Sequence, residues 1–422
     1  VANQVWIGNA AQVAQVDQLT VGGTPATGLT YTVALGFGTG KVVTYTAVST
    51  DTTTTVATAL QQALSSSLYP EFKEVVWSNP AAGKVNGTAQ TAGVPFTLTA
   101  GGTGTLTRTA LTPSSGPNDA LMPANWSTGT LPASGDSIYF QATTISVLFN
   151  LQALAAITPA YIGSDASYTG RIGLPVNNAN GYREYRPRFL QFAGATAVAI
   201  GQGSGQGSGK IQLDFQAGTY ALSQWLAAGS VEPGMPAVQI KGGSASSSIN
   251  IYKGTLGLAL LAGETATVPT LNIDYVTNQR SDAVVTAGAG ATLTNVKMSG
   301  GQLTALCAVP NLTSNGGTTT IETGSMTTAT LNYAGSQAPP STLNFIPAAA
   351  QTITTLVLGN NAVLDCSGTL QTVTITNSTL YAGCTINAPS GNVAMTNAGS
   401  IPDGQAADVT LNLGVGRTVK VA

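Results

Sequence analysis

Histidine is absent from all 422 residues. That removes the commonest general base, the Ser–His and Cys–His nucleophile pairs, and imidazole metal ligation. Charge is scarce as well: 8% of residues are charged, against roughly 25% in typical soluble domains. The net charge of −2 leaves no basic footprint, so no nucleic-acid partner is expected. No apolar run approaches the ~18 residues of a membrane span. Leu151–Ile162 is broken by Gln152, Thr158 and Pro159, and Gly254–Gly263 is too short, so no membrane partner is expected. Val1-Ala2-Asn3-Gln4 lacks a basic n-region and an apolar h-region, so no signal peptide is read. The three cysteines, Cys307, Cys366 and Cys384, match no zinc or redox spacing, and an odd count leaves at least one thiol unpaired. They read as small buried hydrophobes, with a Cys366–Cys384 bridge open but not required. No cofactor, metal site or catalytic residue is expected.

The chain is nevertheless 43% hydrophobic with 50 glycines, which is not the composition of a disordered chain. Two readings account for so little charge. The surface is largely covered in the working state, as in a subunit packed among copies of itself or on a larger particle. Alternatively, a secreted protein presents a neutral Thr/Ser-rich surface.

From about residue 265 one spacing recurs: apolar, two residues, apolar, one residue, apolar, then a turn of small or amide residues. It runs Val268-x-x-Leu271-x-Ile273, Leu293-x-x-Val296-x-Met298, Val309-x-x-Leu312, Met326-x-x-Ala329-x-Leu331, Ile353-x-x-Leu356-x-Leu358 and Leu370-x-x-Val373-x-Ile375. Weaker copies end in Val393-x-Met395 and Leu411-x-Leu413. The middle positions 271, 296, 312, 329, 356, 373, 393 and 411 differ by 25, 16, 17, 27, 17, 20 and 18. A short strand and a turn at that interval are what a β-solenoid needs, because each coil covers the apolar face of the one before. The two long intervals place insertions at Asp274–Ala287 and Ala334–Thr342.

The fold class expected is therefore mainly β: a small α+β N-terminal domain followed by a parallel β-solenoid, right-handed by preference. Residues 1–112 form the α+β unit. Leu29–Leu35 and Lys41–Ala47 read as a hairpin. Residues 52–66 read as a helix, with Val56, Ala59, Leu60, Ala63 and Leu64 on one face and Asp51 or Thr52 as N-cap. Phe72–Trp77, Lys84–Thr91, Val94–Thr99 and Thr103–Leu111 read as further strands. Residues 113–143 are a linker and a cap at the opening of the solenoid, with Trp126 placed to cover its first coil. Residues 144–422 are the solenoid, most regular from 265. Its earlier strands are sought at Ile145–Phe149, Phe189–Phe192, Ala197–Ile200, Ile211–Phe215, Val238–Ile240 and Ile249–Tyr252.

Chemistry on offer is thin. Gly201–Gly209 contains Gly-x-Gly repeats, but Lys210–Phe215 alternates as a strand where a dinucleotide fingerprint needs a helix, so the stretch reads as a turn or loop. Carboxylates are the remaining acid/base candidates, and the closest groupings are Asp274 with Asp282 and Asp403 with Asp408. Loop aspartates most often make turn hydrogen bonds. The one dense polar and aromatic cluster is Gly181-Tyr182-Arg183-Glu184-Tyr185-Arg186-Pro187-Arg188-Phe189, with Arg171 upstream. Arg and Tyr anchor interfaces, so Arg171, Tyr182, Arg183, Tyr185, Arg186 and Arg188 are candidates for an intersubunit contact. A solvated loop held by a local Arg–Glu pair is the alternative.

The segments Val13–Gly23, Thr52–Leu64 and Gly93–Thr99 resemble a module of tailed-bacteriophage structural proteins. The junction Asn118–Phe140, with its Asn-Trp-Ser, Leu-Pro and Gly-Asp pieces, resembles the opening of the β-solenoid in the same group. It also resembles repeat openings in autotransporter passengers. The resemblance covers roughly residues 10–140 and carries no catalytic motif. It implies a virion component assembled in the host cytoplasm, a head decoration (cement) protein or a fibre, commonly a homotrimer. Its partners would be its own copies and the major capsid protein or other virion proteins. The alternatives from other classes are a secreted or tail-associated solenoid adhesin that binds surface glycan, and a tailspike-like polysaccharide depolymerase.

Overall fold

Two parallel sheets, of 13 and 11 strands, wind through most of the chain. The computed structural model describes residues 1–36, 41–202, 210–225, 232–273, 283–332, 340–390, 392–397, 400–402 and 409–412. The chain is mainly β, and the solenoid is a parallel one. From Tyr161–Asp165 onward each coil gives one strand to each sheet, and the inward side chains of both sheets merge into one continuous apolar core. At about 4.8 Å per strand, thirteen strands span roughly 60 Å.

The recurring spacing has a structural cause. In Ala266–Ile273 buried residues alternate with half-buried ones, except that Pro269 and Thr270 are both half-buried between Val268 and Leu271. Pairing with Ala291–Met298 skips Pro269. The strand bends there, so a single strand turns a corner and restarts its alternation with a two-residue gap. The register stacks Leu271, Val296, Leu312, Ala329 and Leu356 in one inward column.

The next coil departs from the expected alignment. Leu356 faces Ser378, while Val373 pairs with Gln351 and Val393. The true rung is Ile375-x-x-Ser378-x-Leu380. A serine at an inward column position hid it, and Leu370 lies 84% exposed outside the core. Leu411 belongs to the second sheet, opposite Ile386. Ala283–Ala287, placed in an insertion by the sequence, is a strand of that second sheet. The rest of that insertion, and most of the one at 334–342, lies outside the described residues, as does 203–209 of the Gly-rich stretch.

The solenoid also explains the scarcity of charge without invoking a partner. In a parallel in-register stack each outward residue sits directly on its counterparts, and like charges placed so would repel. Hydroxyls and amides bond along the column instead. One outward column of the second sheet runs Thr286, Thr304, Thr320, Asn344, Asp365, Asn387 and Asn412. Asn412 donates to Asn387 at 2.9 Å, and Asn387 donates to Asp365 at 3.2 Å. On the first sheet Asn272 donates to Asn250 at 2.7 Å.

The opening of the solenoid recruits the start of the chain. Asn3–Val5 pairs in parallel with Ser137–Tyr139, so these residues extend the solenoid sheet although the sequence placed them in the N-terminal unit. Trp6 holds them there. It is fully buried and meets Trp126 edge-on at 5.1 Å, and Trp126 in turn meets Phe140 at 6.3 Å. Asp136 accepts the Ala2 and Ala133 amides. Asn125, fully buried, donates to the Gly116 and Asp119 carbonyls and accepts from Ala10.

The remainder of the N-terminal unit has its own core. A four-stranded antiparallel sheet runs Val75–Ser78, Lys84–Ala89, Val16–Gly22, Thr105–Thr112, and a three-stranded one runs Val42–Thr46, Thr30–Leu35, Leu98–Gly102. The helix is Thr53–Ser65, capped by a Thr52–Thr55 capping box, and it buries Val56, Ala57, Leu60 and Leu64. Pro70–Glu74, expected to begin a strand at Phe72, is a 3₁₀ turn that buries Phe72, and the strand begins at Val75.

Candidate functional site: the joint between the N-terminal unit and the solenoid

The Arg/Tyr cluster lies where the two cores meet, on the loop before the short strand Leu190–Gln191. Arg186 is its centre, and its side chain is 6% exposed. Every nitrogen of the guanidinium is engaged. Nε donates to the Pro95 carbonyl at 2.8 Å. Nη1 donates to both Glu184 carboxylate oxygens at 3.0 and 3.1 Å and to the Tyr182 hydroxyl at 3.1 Å. Nη2 donates to the Tyr185 hydroxyl at 3.2 Å and to Glu74. Glu74 and Pro95 belong to the N-terminal unit, whereas Glu184 and Tyr182 belong to the solenoid side. One planar cation thus bonds the two units, which suits a rigid fork better than a flexible ammonium.

The aromatic neighbours complete the contact. Tyr182 and Tyr185 stack at 5.8 Å, and the guanidinium lies 4.6 Å from the Tyr185 ring centre. Tyr185 packs against the N-terminal core. At Gly36, which has φ of +98°, an added Cβ would come within 2.9 Å of the Tyr185 Cβ, so glycine is what allows this approach. Burial pushes the phenols of Tyr182 and Tyr185 well above their ordinary range, which keeps them neutral.

The six candidates for an intersubunit contact therefore separate. Tyr182, Tyr185 and Arg186 are taken up within the chain. Arg188 forms a second pair with Glu264 at 3.5 Å and lies 5.3 Å from the Phe189 ring centre, with Lys241 on the same ring at 4.7 Å. Burial lowers the Arg188 pKa, and its Nε and Nη2 are buried with no hydrogen-bond partner. Arg183 is exposed and Arg171 half-buried. The buried part of the cluster joins two units of one chain. Its partners Glu74, Pro95 and Gly36 carry no local sequence signal and lie far upstream.

Beside the bolt opens a cleft of about 240 Å³ between the two units, lined by residues that include Glu74, Gln90, Arg171, Leu174, Asn178 and Arg186. Asn180 donates to Glu74 Oε1 at 3.0 Å, and Asn178 donates to Glu184 Oε2 at 3.1 Å.

Asp274, Asp282, Asp403 and Asp408 lie outside the described residues. Among the described residues no three His, Cys, Asp or Glu side chains cluster to hold a metal, and no helix is long and apolar enough to cross a membrane. Cys307, Cys366 and Cys384 are buried free thiols. Comparison with protein-family models, with curated proteins and with solved structures gives no match.

Proposed function

We propose that this chain is a structural subunit of a tailed-bacteriophage particle, a decoration or cement protein whose N-terminal unit anchors and whose solenoid braces the shell. The observation that carries this reading is the Arg186 joint. A roughly 60 Å stack of strands transmits load only if its attachment does not swivel, and the buried five-partner bolt makes anchor and rod a single stiff piece. The motifs in residues 10–140 that resemble phage structural modules support the same reading. The mechanism is adhesive: apolar burial and main-chain pairing between copies, and against the major capsid protein, stabilise the particle without a chemical step. Homotrimers follow from the resemblance.

The test is add-back. Purified chain is mixed with particles stripped of it, and co-sedimentation and particle heat resistance are measured. Saturable binding that raises the temperature of genome release is expected. Absence of binding, together with release of reducing sugar from host polysaccharide by the purified chain, would replace this reading with a depolymerase.

A further inference from the structure

We infer that the cleft at the joint is a binding site for a small carboxylate-bearing sugar, of the size of one hexuronate. Charge pairing within the cleft points there. Both oxygens of Glu74 are engaged, one by Asn180 and one by Arg186. Both oxygens of Glu184 are engaged by Arg186, and one also accepts from Asn178. Arg171 lines the same cleft half-buried, and among the described residues its guanidinium has no hydrogen bond and no ion pair. The cleft thus holds one uncommitted cation, while Glu74 in its lining and Glu184, which lies outside that lining and is bound to Arg186, are already satisfied. A partly desolvated guanidinium is completed by a bidentate carboxylate.

The remaining lining sets the body of the ligand. Gln90 and Thr91 offer amide and hydroxyl groups that match sugar hydroxyls, while Val94 and Leu174 supply an apolar wall. A volume of about 240 Å³ is below the range for drug-sized ligands, so it admits a single ring. The inference does not depend on the particle reading, since a free chain would bind equally.

The experiment is calorimetric titration of the full chain with glucuronate, glucose and acetate in turn. Saturable binding of glucuronate near the millimolar range is expected, with glucose and acetate each weaker by roughly tenfold or more. Arg171→Gln should lose at least about tenfold for glucuronate, while Arg183→Gln, at an exposed position outside the cleft lining, should keep it. Unchanged melting of Arg171→Gln shows that the variant is folded. No saturable glucuronate binding would overturn the inference. So would acetate binding as tight as glucuronate, or retention of affinity in Arg171→Gln.

Discussion

Replacing Arg186 by Met removes the cation and keeps most of the side-chain volume. The Glu184 side chain is fully buried and that of Glu74 is 15% exposed, so both lose their counter-ion with little access to water. Breaking a buried pair by deleting one partner costs about 3–5 kcal/mol. The hydrogen bonds to Pro95, Tyr182 and Tyr185 are lost in the same event and are not added separately, because they form one network. The cost falls on the joint, so the N-terminal unit should melt ahead of the solenoid. For a unit of its size, about 3 kcal/mol lowers the midpoint by roughly 12 °C or more. Differential scanning calorimetry reads this directly, as a low-temperature transition that separates from the main one. Arg186→Lys should recover little, since one ammonium cannot reach both carboxylates and the Pro95 carbonyl. Adding Glu184→Gln to Arg186→Met should recover part of the loss, because the uncompensated buried charge is gone. A shift below about 3 °C in Arg186→Met, less than 1 kcal/mol on the same scale, would refute the claim that this residue locks the two units.

Three further outcomes are expected. The Ala2 and Ala133 amides hold the Asp136 carboxyl below its ordinary range. Its stabilising effect is therefore present above the ordinary carboxylate value and lost as pH falls through the lowered one. Protection of the Gln4 and Val5 amides, relative to intrinsic exchange, should fall below about pH 4, and Asp136→Asn should show the same loss of protection at neutral pH. Leu358 is fully buried between Leu331 and Leu380 on its column, so Leu358→Ala should cost about 2–5 kcal/mol in denaturant unfolding of the solenoid. Burial pushes the Cys366 thiol up to about 12 and the Cys307 thiol up to about 11. Iodoacetamide at pH 8 should therefore label neither in the folded chain, and labelling should follow unfolding.

What could be read from the sequence divides along physical lines. The long strands of the first sheet were legible because each bends at a fixed point and buries large residues on both sides of the bend, as Val268, Leu271 and Ile273 do. The second sheet was largely missed from residue 254 on. Its strands are short: Gln302–Ala305, Thr318–Ile321 and Thr342–Phe345 bury two residues each, and Val363–Asp365 and Thr385–Asn387 one each, too few to show a period. Ser378 broke the register by placing a hydroxyl where the pattern demanded an apolar side chain. The capped helix was legible from Thr52 and its apolar face. The return of Asn3–Val5 to the solenoid was not, because it depends on Trp6 meeting Trp126, more than a hundred residues away in sequence. The joint followed the same rule. Its Arg/Tyr half was visible as composition, whereas Glu74 and Gly36 become partners only through long-range packing. The scarcity of charge, read as a sign of coverage by partners, has a sufficient cause in the stacked columns themselves.

Electron cryomicroscopy of the native particle, at a resolution that separates strands, tests whether this chain is a rigid brace on a shell. A stack of thirteen strands is expected, seated rigidly on the shell through the N-terminal unit, with continuous density at Arg186. Density in which the rod swivels freely about residues 113–119, or particles from which this chain is missing, would contradict it.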